Sequence, residues 1–297
     1  MVIACAGVLL TKPAHAVDTE QGLVGIFISE EIRPFILMVE GLEESVGYPT
    51  CRIFLDRDKL PYSQDPRCKD LSPENYTQIV AVGPNALTYL KNIKWSNTIV
   101  YSMILNPERM LDNVKGNCGV SLNIPPEKQF EAIKSVFPDI HHIGVLYDPV
   151  HNSDWFNSAS IISKTYNIFL TPLKVFERSE ISKLFKETRL DIDAILFIPD
   201  KTVISQPIIK YVIKESIKQR IPTFGFNQFF HESGSAMSFV IDYKAVGAQT
   251  ADMVKNISGK GECAPSGPFF KIYLNRNVIR TLELETSDHL PDNTEVD

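Results

Sequence analysis

The chain has 297 residues, enough for two compact domains with separate cores. Its 44% hydrophobic and 22% charged residues are ordinary for a water-soluble globular fold. A net charge of −6, with no run of Lys and Arg, excludes an extended nucleic-acid-binding surface.

The first residues read as an export signal. Val2–Leu10 is a short apolar stretch, and Ala14-His15-Ala16 supplies the small-x-small cleavage pattern before Val17, so residues 1–16 are expected to be removed. The stretch is too short to span a bilayer. Val2-Ile3-Ala4-Cys5 also fits a loose lipobox, so a lipid anchor at Cys5 stays open beside a free periplasmic protein. No later segment is long and apolar enough for a membrane helix. Four cysteines remain, Cys51, Cys68, Cys118 and Cys263, and an even number in an exported chain points to disulfides. Cys51 with Cys68 is nearest in sequence, which leaves Cys118 for Cys263; four packed thiols are the alternative. Their spacing matches no zinc signature, and neither a metal nor a cofactor is expected.

In chain order, Gly22–Ile28 is a buried strand and Pro34–Ser45 a helix. Cys51–Leu55 is a strand, and the polar Asp56–Asn75 stretch a long loop. Gln78–Val82 is the third strand; Gly83-Pro84 opens a helix through Lys91, and Thr98–Ile104 is the fourth strand. Gly119–Pro149 reads as an extended piece, a Pro-started helix with an apolar face of Phe130, Ile133, Val136 and Phe137, and the strand Ile143–Tyr147. The alternation then restarts: helix Ser153–Thr165, strand Phe169–Val175, helix Ser179–Thr188, strand Ala194–Ile198, helix Gln206–Gln219 and strand Thr223–Phe226. Ala236–Ile241, helix Tyr243–Ile257, Phe270–Leu274 and Asn275–Leu282 close the chain, and from Ser287 a polar tail reads as frayed. Continuous apolar strands alternating with helices indicate an α/β protein of two doubly wound parallel-sheet lobes.

In such sheets ligands bind beyond the carboxyl ends of the strands. Those turns supply the candidates. In the first set they are Ser29 and Glu30, then Pro84 and Asn85 at a helix N-terminus suited to a polar or anionic group, then Tyr101 and Ser102. In the second set they are Asn152, Ser153, Asp154 and Trp155, then Asp200 and Thr202, then Phe226 and Asn227. Capping alone would explain one of Asn152, Ser153 and Asp154. Tyr101, Trp155, Phe156, Phe226, Phe229 and Phe230 give these turns an aromatic character that suits a flat or apolar ligand, although Phe156, Phe229 and Phe230 read better as core.

Several segments carry a family resemblance. Gly119-Val-Ser-Leu-Asn-Ile-Pro-Pro-Glu-Lys-Gln129 with Ile143-Gly-Val-Leu-Tyr147 resembles G-V-S-x-x-I-P-x-E-K-Q and I-G-V-L-Y-x-P. Ala194–Ser205, Ile221-Pro-Thr-Phe-Gly225 and Asp242-Tyr243 with Gly247 and Ala251 add further matches, so that the likeness runs from Gly22 to Leu284. The pattern resembles the ABC-transporter substrate-binding proteins with a type I periplasmic-binding-protein fold. It implies a first lobe of 17–118 plus 238–262, a second of 119–237 plus 263–297, a multi-strand hinge with crossings near Ser238 and Cys263–Pro268, and a monomer that delivers a small ligand to a membrane permease. Family members are associated with aromatic amino acids and related molecules. The chain departs from the pattern at Pro84-Asn85, at Leu105-Asn106-Pro107 and in the Asp56–Asn75 loop.

Two other functions compete. An enzyme would need a nucleophile, a base and an oxyanion site. Ser153 with His151 or His142 is the best pairing, but no G-x-S-x-G, H-E-x-x-H or Walker motif accompanies it. A binding module that feeds a membrane sensor would share the fold. The expectation is therefore a periplasmic binding protein that closes over a small aromatic or apolar, amino-acid-like or lipid-like ligand, and not an enzyme.

Overall fold

The structure is a computed structural model that describes residues 22–66, 68, 71–95, 98–111, 118–187, 190–259 and 263–297. The expected signal segment and Cys5 lie outside the described residues.

The first sheet contains β1 (Val24–Ile28), β2 (Thr50–Leu55), β3 (Pro61–Tyr62), β4 (Gln78–Val82), β5 (Ile99–Ile104) and β6 (Cys118–Ser121), in the order β3-β2-β1-β4-β5-β6. Every pairing is parallel except β2 with β3. Alternation along β1 explains the layers. Val24, Ile26 and Ile28 face α1 (Arg33–Val46) and α8 (Tyr243–Ser258), whereas Phe27 joins the cluster under α2 (Pro84–Asn92). Each such fully buried side chain contributes roughly 1.5–3 kcal/mol. α1 and α8 touch closely because Gly41 and Gly247 face each other's backbones, where a Cβ would collide with Lys244 O and Met38 O.

The second sheet contains β7 (His142–Tyr147), β8 (Phe169–Lys174), β9 (Ala194–Phe197), β10 (Thr223–Gly225), β11 (Met237–Ile241), β12 (Phe270–Leu274) and β13 (Thr294–Val296), ordered β13-β12-β11-β10-β9-β7-β8. α3 (Pro126–Val136) and α4 (Pro149–Ile162) cover one face through Phe130, Ile133, Phe156 and Ala159. α5 (Arg178–Glu187), α6 (Gln206–Lys218) and the short α7 (Gln228–Glu232) cover the other through Ile181, Ile209, Val212 and Phe230. α9 (Arg276–Leu282) follows β12. The fold is thus two α/β lobes with parallel-dominant sheets, as the alternation predicts.

Three stretches connect the lobes. The chain passes from β6 to α3 through Leu122–Pro125. It returns from β11 to α8 at Asp242, so the crossing expected near Ser238 falls after Ile241. It crosses again at 267–269, after Ser266 has paired with β6 through Ser121 N–H and Gly119 O. Gln249 on α8 pins the third crossing, donating to Gly267 O at 3.2 Å and accepting from Phe269 N–H at 2.8 Å. Asp242 N–H donates to Phe269 O at 3.1 Å and so ties the second crossing to the third.

Both disulfides are formed, Cys51–Cys68 and Cys118–Cys263. One sequence expectation fails at the tail. Residues after Ser287 are not frayed throughout, because Thr294–Val296 adds a parallel strand to the open edge of β12. Lys271 pairs with Glu295 and His231 with Asp297 to hold it there.

Candidate functional site

A cavity of about 240 Å³ opens where the crossings meet the strand ends. The first sheet and the crossings supply Leu105, Asn106, Leu122, Asn123, Ile124, Ile241 and Tyr243. The second lobe supplies Gln129, Asn152, Trp155, Ile198, Pro199, Phe226 and Asn227. A larger open groove of about 1060 Å³ lies against the strand beginnings of the second lobe, around Asp193, Arg220 and Pro222. It touches none of the crossings, so lobe motion would not close it.

Of the predicted residues, the structure brings Asn152, Trp155, Phe226 and Asn227 together in this cavity. Trp155 and Phe226 are half-buried and give it aromatic surface. Asn227 caps α7 by accepting Phe229 N–H on Oδ1 at 3.0 Å, which leaves its Nδ2 for another partner.

The second-lobe carboxylate is built into its own lobe. Asp200 is buried and accepts four hydrogen bonds. Oδ1 takes Thr202 N–H and Val203 N–H at 2.8 and 2.9 Å; Oδ2 takes Asp148 N–H at 2.8 Å and Asn152 Nδ2 at 2.7 Å. Thr202 Oγ1 donates to Asp148 Oδ2 at 2.6 Å, and Asp148 Oδ1 caps α4 by accepting Val150 N–H. The Thr202 hydroxyl, with Val150 N–H and His151 beside it, holds the Asp148 carboxyl below the usual carboxylate range. α4 therefore starts a turn before the Ser153 expected from sequence. Its helix is interrupted at Asn152, whose φ of −130° and ψ of 16° turn the amide toward Asp200. Ser153 donates back to Pro149 O, and Asp154 is exposed.

The first-lobe candidates lie outside the cavity lining. Ser29 is buried, and its Oγ accepts Ala86 N–H at 2.9 Å. With Pro84 lacking an N–H, only Asn85 among the first three residues of α2 can offer an amide outward. Gly83 makes this turn at a φ of 85°, where a Cβ would meet the Phe35 ring and Ser29 Oγ. Glu30 and Pro84 are exposed, and Asn85 is half-buried. Tyr101 is 2% exposed and packs in the core beneath α2, where burial pushes its hydroxyl pKa up. Ser102 is buried under α8 and accepts from Thr250 Oγ1 at 3.2 Å. Both residues lie inside β5 and not beyond its end at Ile104. Its register slips between Ser102 and Ile104, with Met103 at a φ of 60°, so Ile104 returns to the face of Tyr101.

Ten lining residues were not singled out from sequence for contact, among them Asn106, Asn123, Gln129, Ile124 and Tyr243. Signals for three existed, since Gln129 and Tyr243 sit inside the E-K-Q and D-Y segments and Asn106 inside the departing Leu105-Asn106-Pro107 turn. Asn106 and Asn123 pair with each other, Asn106 N–H to Asn123 Oδ1 at 2.7 Å and Asn123 Nδ2 to Asn106 Oδ1 at 2.6 Å. Gln129 is 5% exposed, donates to Ile124 O at 3.2 Å and leaves Oε1 without a partner. Burial raises the Tyr243 pKa, so its hydroxyl stays protonated at neutral pH. Across the mouth, Arg109 from the first lobe donates to His151 O at 3.4 Å.

Among the described residues no cluster of three His, Cys, Asp or Glu side chains could hold a metal ion, and no helix is long and apolar enough to cross a membrane. Residues 70–291 match the family described as ABC transporter substrate binding protein. No curated protein matches the chain. Among solved structures, a ligand-free, open substrate-binding protein with adhesive properties from Clostridium difficile superposes with a TM-score of 0.68 at 17% identity, covering 93% of this chain and 99% of the other. An ABC domain in complex with L-Trp from Streptococcus pneumoniae gives 0.58 at 17% identity, over 93% and 99%. A periplasmic ribose ABC transporter protein from Conexibacter woesei gives 0.58 at 11% identity, over 89% and 95%. At these identities the likeness establishes the shared fold.

Proposed function

The chain belongs to the ABC transporter substrate-binding family, whose members bind solutes and are not enzymes, and from that premise we propose that it captures a small aromatic molecule outside the cytoplasm for an ABC permease. The observation that carries the ligand class is the 240 Å³ cavity at the crossings, with Trp155, Phe226 and Tyr243 in its walls. Ligand sites usually run to roughly 300–1,000 Å³, so a compact ring fits this one better than a long acyl chain. The aromatic walls suit stacking on a flat face.

The mechanism is lobe closure. Both lobes line the cavity, so a ligand held there contacts both and gains affinity for the closed arrangement that neither lobe supplies alone. The three crossings act as the hinge, and their mutual hydrogen bonds make them move together. Cys118–Cys263 joins β6 to the segment after α8 and keeps two of the crossings in register. In this reading Asp200 and Thr202 position Asn152 and do not touch the ligand. The disulfides and the family both fit export to an oxidising compartment.

Native mass spectrometry of the periplasmically expressed protein tests this reading. The expected result is a co-purified aromatic compound that is released on mild denaturation and absent from Trp155→Ala. Equal occupancy in Trp155→Ala would place the ligand elsewhere. Deleting the gene should abolish uptake of the same compound, and normal uptake in the deletion strain would remove the importer role.

A further inference from the structure

We propose that the ligand is recognised without a formal charge: an uncharged heteroaromatic molecule whose edge carries both hydrogen-bond donors and acceptors, one of them an N–H met by Gln129. The inference rests on the reading of the crossing cavity as the ligand site and goes beyond it in chemical class.

The first support is the polar inventory of the lining. It consists of Asn106, Asn123, Gln129, Asn152, Asn227 and Tyr243, with no Asp, Glu, Lys, Arg or His. An ionised carboxylate or ammonium moved into such a place without a counter-charge is strongly disfavoured. Carboxamides are suited to neutral edges that alternate donor and acceptor, because each side chain offers one of each kind.

The second support is that the charged groups nearby are bonded within the protein and lie outside the cavity lining. All four bonds to Asp200 come from its own lobe, and Asp148 is held by Thr202 and the α4 cap. The four bonds fill both oxygens of Asp200, and neither carboxylate lies in the cavity lining, where an incoming ammonium would need it. At α2 only Asn85 N–H is left for an anion, because Pro84 has no N–H and Ser29 occupies Ala86 N–H, and this helix end lies outside the cavity lining. Arg109 donates to His151 O and lies outside the cavity lining.

The third support is what the amides leave open after their internal bonds. Asn152 uses Nδ2 on Asp200, so Oδ1 remains as an acceptor. Asn227 uses Oδ1 on Phe229 N–H, and Asn106 uses Oδ1 on Asn123, so each keeps an Nδ2 donor. Gln129 uses Nε2 on Ile124 O, and its buried Oε1 has no partner. A buried acceptor left unpaired is costly, and a ligand N–H that it could rotate to meet would relieve it. Two donors and two acceptors thus remain beside aromatic faces, which matches an unphosphorylated nucleobase or an aromatic carboxamide in chemical class.

The test holds the ring constant and varies the charge. Protein stripped of bound solute is titrated calorimetrically at pH 7 with indole-3-acetamide (neutral), indole-3-acetate (anionic), tryptamine (cationic) and L-tryptophan (zwitterionic), and with adenine and guanosine as neutral compounds of other shapes. The expected result is that a neutral member binds at least about tenfold more tightly than every charged one, because the charged ones leave a desolvated ion unpaired. Trp155→Ala should weaken that binding. Gln129→Leu and Gln129→Met should weaken it about tenfold while circular dichroism shows both variants folded. Tighter binding of a charged member, lost in Trp155→Ala, overturns the neutral-ligand inference and leaves the solute-binding reading standing. Absence of binding by all six up to millimolar overturns the inference and counts against the cavity as an aromatic site. Unchanged affinity in both folded Gln129 variants overturns the assignment of the N–H to Gln129.

Discussion

The two lobes are tied by different means. Both disulfides belong to the first sheet, Cys51–Cys68 at β2 and Cys118–Cys263 at β6. The second lobe instead holds the carboxyl ends of β7 and β9 through two buried carboxylates, Asp148 and Asp200, and the backbone amides and side chains they gather. The difference teaches that charge at a cleft need not be charge for a ligand. Where one lobe uses covalent ties and the other ionised acceptors, recognition is left to uncharged amides and rings.

The largest expected effects come from breaking the covalent side of this comparison. Chain-entropy arguments give about 5 kcal/mol for closing the 145-residue separation of Cys118–Cys263 and about 3 kcal/mol for the 17-residue separation of Cys51–Cys68. The paired Cys→Ser variants should therefore lose stability in that order when unfolded in urea under oxidising conditions. Equal losses would mean that local packing around each bridge, and not loop length, sets its contribution.

On the other side, Asp200→Ala removes the acceptor of four donors at once and leaves Asp148 N–H buried without a partner. A loss of about 3 kcal/mol in folding stability is expected, because each orphaned buried donor costs about 1–3 kcal/mol. Denaturant unfolding measures it. The informative reversal would be a variant as stable as the wild type that binds ligand poorly, since that pattern belongs to a contact residue. Trp155→Ala should show this pattern, losing about 2 kcal/mol of binding with a smaller change in melting temperature. A large fall in melting temperature with intact binding would make Trp155 a core residue.

Much of this comparison was legible in the sequence, and the exceptions have physical causes. Strands such as Val24–Ile28 and Ala194–Phe197 carry continuous apolar runs that mark them as buried strands. Asp200 was visible as a carboxylate at a strand end, but its partners lie 48 and 52 residues away, on the α4 turn, or immediately beyond it, and no local pattern shows that they consume its oxygens. Tyr101 looked like a cleft ring because it falls near the end of an apolar run, whereas β5 continues to Ile104 and leaves Tyr101 inside the strand, on the face packed beneath α2. Gln129 read only as the end of the E-K-Q segment, and its unpaired oxygen exists only once α3 is docked under the first crossing. The tail strand β13 has no apolar run of its own; the free edge of β12 and the Lys271–Glu295 pair specify it.

The smallest effect, and the sharpest separation of scaffold from ligand contact, is expected at Thr202. Thr202→Val keeps the shape and removes the hydroxyl that donates to Asp148 Oδ2, at a cost of about 1 kcal/mol near neutral pH. The same hydroxyl is the foremost reason that the folded-state pKa of Asp148 lies below the ordinary carboxylate value. A depressed folded pKa contributes stability that is fully present above the unfolded value, about 3.9, and is lost as the pH falls through the folded value. Thermal melts from pH 7 down to pH 3 should therefore show the wild type ahead of Thr202→Val at the upper end, with the gap narrowing below about pH 4. A gap that stayed constant over the whole range would assign the effect to packing of the threonine and not to the Asp148 charge. Ligand affinity at pH 7 should meanwhile stay within about threefold of the wild type, because Thr202 lies behind Asp148 and outside the cavity lining. A tenfold loss there would bring the carboxylate side of the second lobe back into contact with the ligand.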